Sequence, residues 1–238
     1  MTVNWTDTPW LGLDTETTGA DPFHDRLVTA ALVLRPGGAG ENGPDEPRTW
    51  LADPGMAIPE GATRIHGITT DKARGEGRPI VEVLDEVADA LVEHWSQGLP
   101  VVIFNAPFDL TVINEELRRH GLGSLEERLG GAPAPVIDPL VLDHALDRYR
   151  RGKRTLAAMT AVYQVTANGN AHTAEVDVAM MLDVLAEMAA RYPKAASMDA
   201  AQLHDYQVAE HRKWADNFGS WLRSKGKRDD VSRAWPQE

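Results

Sequence analysis

The run Val101-Val102-Ile103-Phe104 is bounded by Pro100 on one side and by Asn105 and Pro107 on the other. Four consecutive apolar residues leave no solvent face, so the segment reads as the central strand of a sheet, buried on both faces. The flanking segments supply helices to cover it. Ile80, Leu84, Val87, Ala88, Leu91 and Trp95 recur at helical spacing, with Glu82, Asp85, Glu86, Asp89 and Glu93 on the other faces. A second helix is expected from Asp109 to His120, ended by Gly121. Upstream, Trp10–Leu13, Arg26–Leu34 and Thr49–Leu51 read as three successive antiparallel strands, and Val136–Asp138 as a last short one. With helices expected over Leu156–Tyr163 and Thr173–Arg191, the class is α/β, a mixed sheet layered with helices. Residues 1–191 form the expected main domain and 192–238 a C-terminal helical appendage. The aromatic stripe Trp214, Phe218, Trp221 on that appendage is expected to pack against the main domain.

Charge and cysteine usage narrow the function. The 24 Lys and Arg against 36 Asp and Glu leave a formal charge of −12, which excludes broad neutralisation of a polyanion by a basic surface. Nucleic-acid chemistry would have to be local. With no cysteine, a thiolate nucleophile, a disulfide framework and Cys-ligated zinc are ruled out, and a reducing cytoplasm fits. The first residues lack the pattern of a signal or transit peptide, and no apolar run approaches the roughly 20 residues of a membrane helix. The Gly/Pro-rich stretch at 37–47 reads as a loop within the domain.

Three acidic segments stand out. In Asp14-Thr15-Glu16-Thr17-Thr18-Gly19, strand alternation puts Asp14 and Glu16 on one face, a spacing suited to a hard divalent cation or, equally, to an exposed edge. In Phe104-Asn105-Ala106-Pro107-Phe108-Asp109, the aspartate sits in a first helical turn, where it could ligate metal or complement the helix dipole. In His172-Thr173-Ala174-Glu175-Val176-Asp177, the aspartate lies among apolar neighbours one turn into a helix, with His172 just outside its start.

In this order and spacing the segments resemble the three motifs of the DEDD exonuclease superfamily, in its histidine-bearing DEDDh (DnaQ-like) branch, which includes proofreading epsilon subunits. The resemblance covers about residues 8 to 190, and Arg64-Ile65-His66-Gly67-Ile68-Thr69 is similar to a further family element beside the terminal nucleotide. It implies a ribonuclease-H-like sheet, three antiparallel strands followed by parallel ones with helices on both faces. It further implies that Asp14, Glu16, Asp109 and Asp177 bind two divalent cations, Mg²⁺ or Mn²⁺, and that His172 is the general base. Thr17, Thr18, Ile65, His66, Asn105 and Phe108 would border the substrate. One departure is Gly12, which falls in the strand before the first motif and should weaken it slightly.

Such a site suits phosphodiester hydrolysis: two cations roughly 3.5–4 Å apart serve both ends of an in-line displacement. An imidazole with a reference pKa near 6.5 can take the water's proton. The activity so implied is 3′–5′ hydrolysis of single-stranded DNA, of proofreading or repair type, alone or with a DNA polymerase subunit. An exoribonuclease of the same branch is the alternative, and a catalytically silent binding module ranks below both. Arg148, Arg150, Arg151, Lys153 and Arg154 form the densest basic cluster, expected either to contact upstream phosphates or to be a solvated loop offsetting Asp143 and Asp147.

Overall fold

A computed structural model describes residues 4–40, 43–166 and 173–237. The elements are β1 (Trp10–Thr17), β2 (Leu27–Arg35), β3 (Glu46–Asp53), α1 (Glu60–His66), α2 (Thr70–Glu76), β4 (Arg78–Pro79), α3 (Ile80–Ser96), β5 (Val101–Ile103) and α4 (Ala106–Arg119). There follow α5 (Leu125–Leu129), β6 (Val136–Ile137), α6 (Pro139–Leu146), α7 (Leu156–Tyr163), α8 (Ala174–Arg191), α9 (Pro193–Ala196) and α10 (Ala200–Ser224). The sheet order is β4-β3-β2-β1-β5-β6. β1 pairs antiparallel with β2, and β2 with β3, while β1–β5 and β5–β6 are parallel. The expected mixed sheet is therefore present.

Alternation along the strands divides the interior into two cores. Leu11, Leu13, Val101 and Ile103 face α3 and α4, where Leu84, Leu91, Leu110 and Ile113 cover them. Trp10, Val33, Val102 and Ile137 face the other way, onto Val178, Leu182 and Leu185 of α8 and Met159 of α7. Val101, Val102 and Ile103 of β5 are fully buried, as a covered central strand requires.

The departures have local causes. α4 begins at Ala106 rather than Asp109, because Pro107 sits in its first turn, where the missing N–H has no helical partner to lose. α1 and α2 were not expected as helices, since seven residues carry too little periodicity to read. The stripe on α10 is only partly consumed in packing: Phe218 and Trp221 remain 38% and 49% exposed.

The phosphate-contact reading of the basic cluster is overturned for two of its members. Arg150 donates through Nε and Nη2 to Asp143 at 3.2 and 2.7 Å, and Arg154 pairs with the same carboxylate. Tyr163 donates its hydroxyl to Asp143 at 2.7 Å. Asp143 is wholly buried, so its charge needs these partners and the two guanidinium groups are not available to a backbone phosphate. Arg154→Ala should destabilise the fold by roughly 1.5–3 kcal/mol, the loss of hydrogen bonds to a charged group. Urea unfolding checks this; an unchanged midpoint would contradict it.

Candidate active site

The parallel pairing of Leu13 with Ile103 brings the carboxyl ends of β1 and β5 side by side. Residues 10, 12, 14 and 16 of β1 share the α8 face, so Asp14 and Glu16 point toward the helix that carries Asp177. Thr15 points the other way, toward α4. There its backbone N–H and its hydroxyl both donate to Oδ1 of Asp109, at 3.0 and 2.7 Å. The chain reaches α4 through Asn105, whose φ of 63° is tolerated by asparagine better than by most residues.

Gly12 explains how α8 comes so close. A Cβ at this position would overlap Cγ1 of Val178 and press on both Leu182 methyls at 3.3 Å. The expected weakness in the strand is thus a close crossing point, and the residue after Asp177 is the one seated on it. Gly12→Val should push α8 off the sheet and move Asp177; misplacement by about 1 Å can cost roughly 10²-fold in rate. Turnover measured alongside the circular dichroism spectrum tests this, and full activity in Gly12→Val would refute it.

The acids feel one another. Burial raises the Asp14 carboxyl well above the ordinary range, and repulsion from Asp109, Glu16 and Asp177 adds to the shift. Asp14 keeps part of its surface open to solvent although protein surrounds most of it. Glu16 is raised by burial and then by Asp177. Asp109, 4% exposed, is raised by burial against the lowering effect of the two bonds from Thr15. Among the described residues no three acidic or histidine side chains are closed up enough to hold a cation. Asp14, Glu16, Asp109 and Asp177 offer only carboxylate oxygens. As a donor set they fit hard divalent cations, which take oxygen ligands.

Asp138 escaped the sequence reading except as the end of a strand. It is fully buried and accepts from the Asn105 and Ala106 amides at 3.1 and 3.0 Å, as well as capping α6 through Leu140. It therefore fixes the start of α4 and hence Asp109. Burial raises its carboxyl to about 6 despite these amides.

The remaining residues named from sequence lie around this centre. Thr17 and Thr18 are buried, and their hydroxyls are engaged locally, Thr17 donating to the Gly19 carbonyl at 2.5 Å and Thr18 to Asp25 at 2.8 Å. Ile65 is 75% exposed at the end of α1. Nδ1 of the neighbouring His66 accepts from the Ile68 amide at 3.1 Å. Burial lowers the His66 imidazole, against the raising effect of a hydrogen bond with the Thr17 backbone. Glu16, Trp50, His66, Lys72 and Ala174 line one cavity of about 250 Å³. Trp50 and Lys72 carried no motif to announce them. Asn105 is exposed, and Phe108 is half-buried against the first core. His172 lies outside the described residues.

A family model described as "Exonuclease" matches residues 11–185. The DNA polymerase III subunit epsilon of Rickettsia conorii is 30% identical over 183 residues, covering 74% of this chain and 71% of that protein. The PolC-type DNA polymerase III of Streptococcus thermophilus is 32% identical over 142 residues, which are 59% of this chain but only 8% of that polymerase. Among solved structures, a zinc-bound complex of E. coli exonuclease I with single-stranded DNA has a TM-score of 0.67 at 21% identity, covering 86% of this chain and 43% of that one. Exonuclease I of Methylocaldum szegediense gives 0.63 at 22% identity, over 90% and 45%. These likenesses bear out the ribonuclease-H-like sheet. Among the described residues no helix is long and apolar enough to cross a membrane.

Proposed function

The chain belongs to the exonuclease family, in its DnaQ-like 3′–5′ branch, and on that premise we propose that it removes nucleotides from the 3′ end of single-stranded DNA, in proofreading or repair. The observation that carries this reading is the convergence of Asp14, Glu16, Asp109 and Asp177, from three distant segments, within mutual electrostatic reach at the carboxyl ends of β1 and β5. The names of its relatives support DNA as substrate and a polymerase as a partner. Residues 1–191 are the exonuclease domain in this reading and 192–238 its C-terminal appendage, and the cytoplasm is its place of action.

Asp14, Glu16, Asp109 and Asp177 would hold two divalent cations, Mg²⁺ or Mn²⁺, which when bound lower the pKa of the attacking water and stabilise the leaving 3′ oxygen. The protein's own residues do the rest. Thr15 holds one oxygen of Asp109, leaving the other to a ligand. Asp138 locks the start of α4, and Gly12 admits α8. His172 takes the proton from the attacking water. The terminal nucleoside sits between Glu16 and His66, with the exposed Ile65 against its base, Thr17 and Thr18 shaping the wall, and Asn105 and Phe108 on the α4 side.

Matched 5′-labelled DNA and RNA single strands test the substrate. The DNA strand should be shortened at least tenfold faster, because a pocket built for a deoxyribose leaves a 2′-hydroxyl unpaired or crowded. Faster loss of the RNA strand would transfer the assignment to an exoribonuclease.

A further inference from the structure

The C-terminal half of α10 carries a feature that hydrolysis of the terminal nucleotide does not use. α10 starts against the edge strand β6, where Leu203 enters the second core and the Gln207 side chain accepts from the Asp138 amide at 2.7 Å and donates to the Val136 carbonyl at 3.1 Å. By Trp214 the helix has reached the end of the sheet that bears the carboxylates. There Trp214 and His211 share a cavity of about 110 Å³ with Asn105, Pro107 and His144. Asn105 leads into the helix that carries Asp109, so this cavity adjoins the candidate active site. The remaining ten residues, Ala215–Ser224, extend about 15 Å further.

Along that extension the side chains at i, i+4 and i+7 form a ladder. Trp214 and Phe218 are 5.5 Å apart between centroids and 16° from parallel, and Phe218 and Trp221 are 5.6 Å apart and 12° from parallel. His144 leans on its inner end, 5.3 Å from Trp214. The outer end is open, with Trp221 49% exposed. Lys225 caps the helix four residues beyond Trp221, and Lys227 follows it, both exposed.

Charge distinguishes this face from ordinary packing. Residues 210–230 contain Arg212, Lys213, Arg223, Lys225, Lys227 and Arg228 against the acids Glu210, Asp216, Asp229 and Asp230, a local basic excess in a chain whose net charge is −12. Lys213, Arg223 and Arg228 are paired with Glu210, Asp229 and Asp230. Arg212, Lys225 and Lys227 are exposed and, among the described residues, make no ion pair. A second copy docked on this face across a two-fold axis would bring like charges together. A strand of bases and phosphates is complementary to both features, since bases stack on aromatic rings and phosphates meet the cations.

We propose that the Trp214–Phe218–Trp221 ladder, with Lys225 and Lys227, is a base-stacking platform that holds single-stranded DNA on the 5′ side of the nucleotide being removed. The proposal rests on the exonuclease reading for its substrate. Its consequence is a dependence on strand length: a trinucleotide fills the active site alone, whereas a longer strand also gains the platform.

The test compares the wild type with Phe218→Ala/Trp221→Ala and with the conservative Phe218→Tyr/Trp221→Phe. Two readouts separate the platform from the chemistry: anisotropy of labelled dT16 in chelator, where no hydrolysis occurs, and hydrolysis of dT16 and dT3 with Mg²⁺. The alanine pair should weaken dT16 binding and raise its KM by roughly tenfold or more, leave dT3 turnover unchanged, and be largely rescued by the aromatic pair. Unchanged dT16 affinity would overturn the proposal, as would equal losses on dT3 and dT16. Loss of self-association in the variant with unaltered dT16 affinity would assign the face to a second copy instead. If the wild type binds dT16 through these residues yet hydrolyses neither substrate, the exonuclease reading fails and the platform stands.

Discussion

Asp14→Asn should reduce turnover by several orders of magnitude and, in chelator, raise the melting temperature. Both effects come from one change. The side chain keeps its size but loses the charge that a divalent cation needs, and with it the repulsion from Asp109, Glu16 and Asp177. The pH dependence follows from the direction of the shifts. Asp14, Glu16, Asp109 and Asp138 all have raised carboxyls in the folded protein, Asp138 to about 6. Between the ordinary carboxylate value near 4 and those raised values, the native state binds more protons than the unfolded chain. Their contribution to stability is present below about pH 4 and is lost as the pH rises through the folded-state values. Metal-free wild type should thus lose stability from pH 5 to pH 8 more steeply than Asp14→Asn, and millimolar Mg²⁺ or Mn²⁺ should restore part of the loss. Melting curves at both pH values, with and without metal, check this. Parallel pH profiles for the two proteins would contradict the account of the acids as a repelling set.

His172→Ala should slow hydrolysis by roughly 10²–10⁴-fold, the range for loss of a general base. Its proposed work is to remove a proton, so cation affinity should persist where Asp177→Ala abolishes it. Calorimetric titration with Mn²⁺ separates the two. If His172→Ala loses cation affinity as severely as Asp177→Ala, the histidine is a ligand or a support. If the variant hydrolyses at the wild-type rate across pH 6 to 9, no base acts at this position.

The acids were legible because each belongs to a short local pattern. The alternation of Asp14 and Glu16 needs only a strand, and the position of Asp109 only a strand running into a helix. What closes the site around them was not legible, since it depends on what crosses what. Gly12 read as a weakness in β1, yet it is the point where Val178 and Leu182 of α8 approach. Asp138 read as the end of a strand, while its work is to hold amides 32 and 33 residues away. For Arg150 and Arg154 the sequence left phosphate contact and a solvated loop offsetting Asp143 and Asp147 equally open, because no local pattern marks Asp143 as wholly buried, which is what commits both guanidinium groups to it. Exposure of the α10 aromatics was equally hidden, since helical periodicity places Trp214, Phe218 and Trp221 on one face without saying what covers it.

The most direct measurement follows one single-stranded DNA labelled at its 5′ end and a second labelled at its 3′ end, each incubated with Mg²⁺ or with chelator. The account predicts a descending ladder of single-nucleotide steps from the 5′ label, immediate release of a mononucleotide from the 3′ label, and neither in chelator. Internal cuts, shortening from the 5′ end, or a ladder that persists in chelator would contradict it.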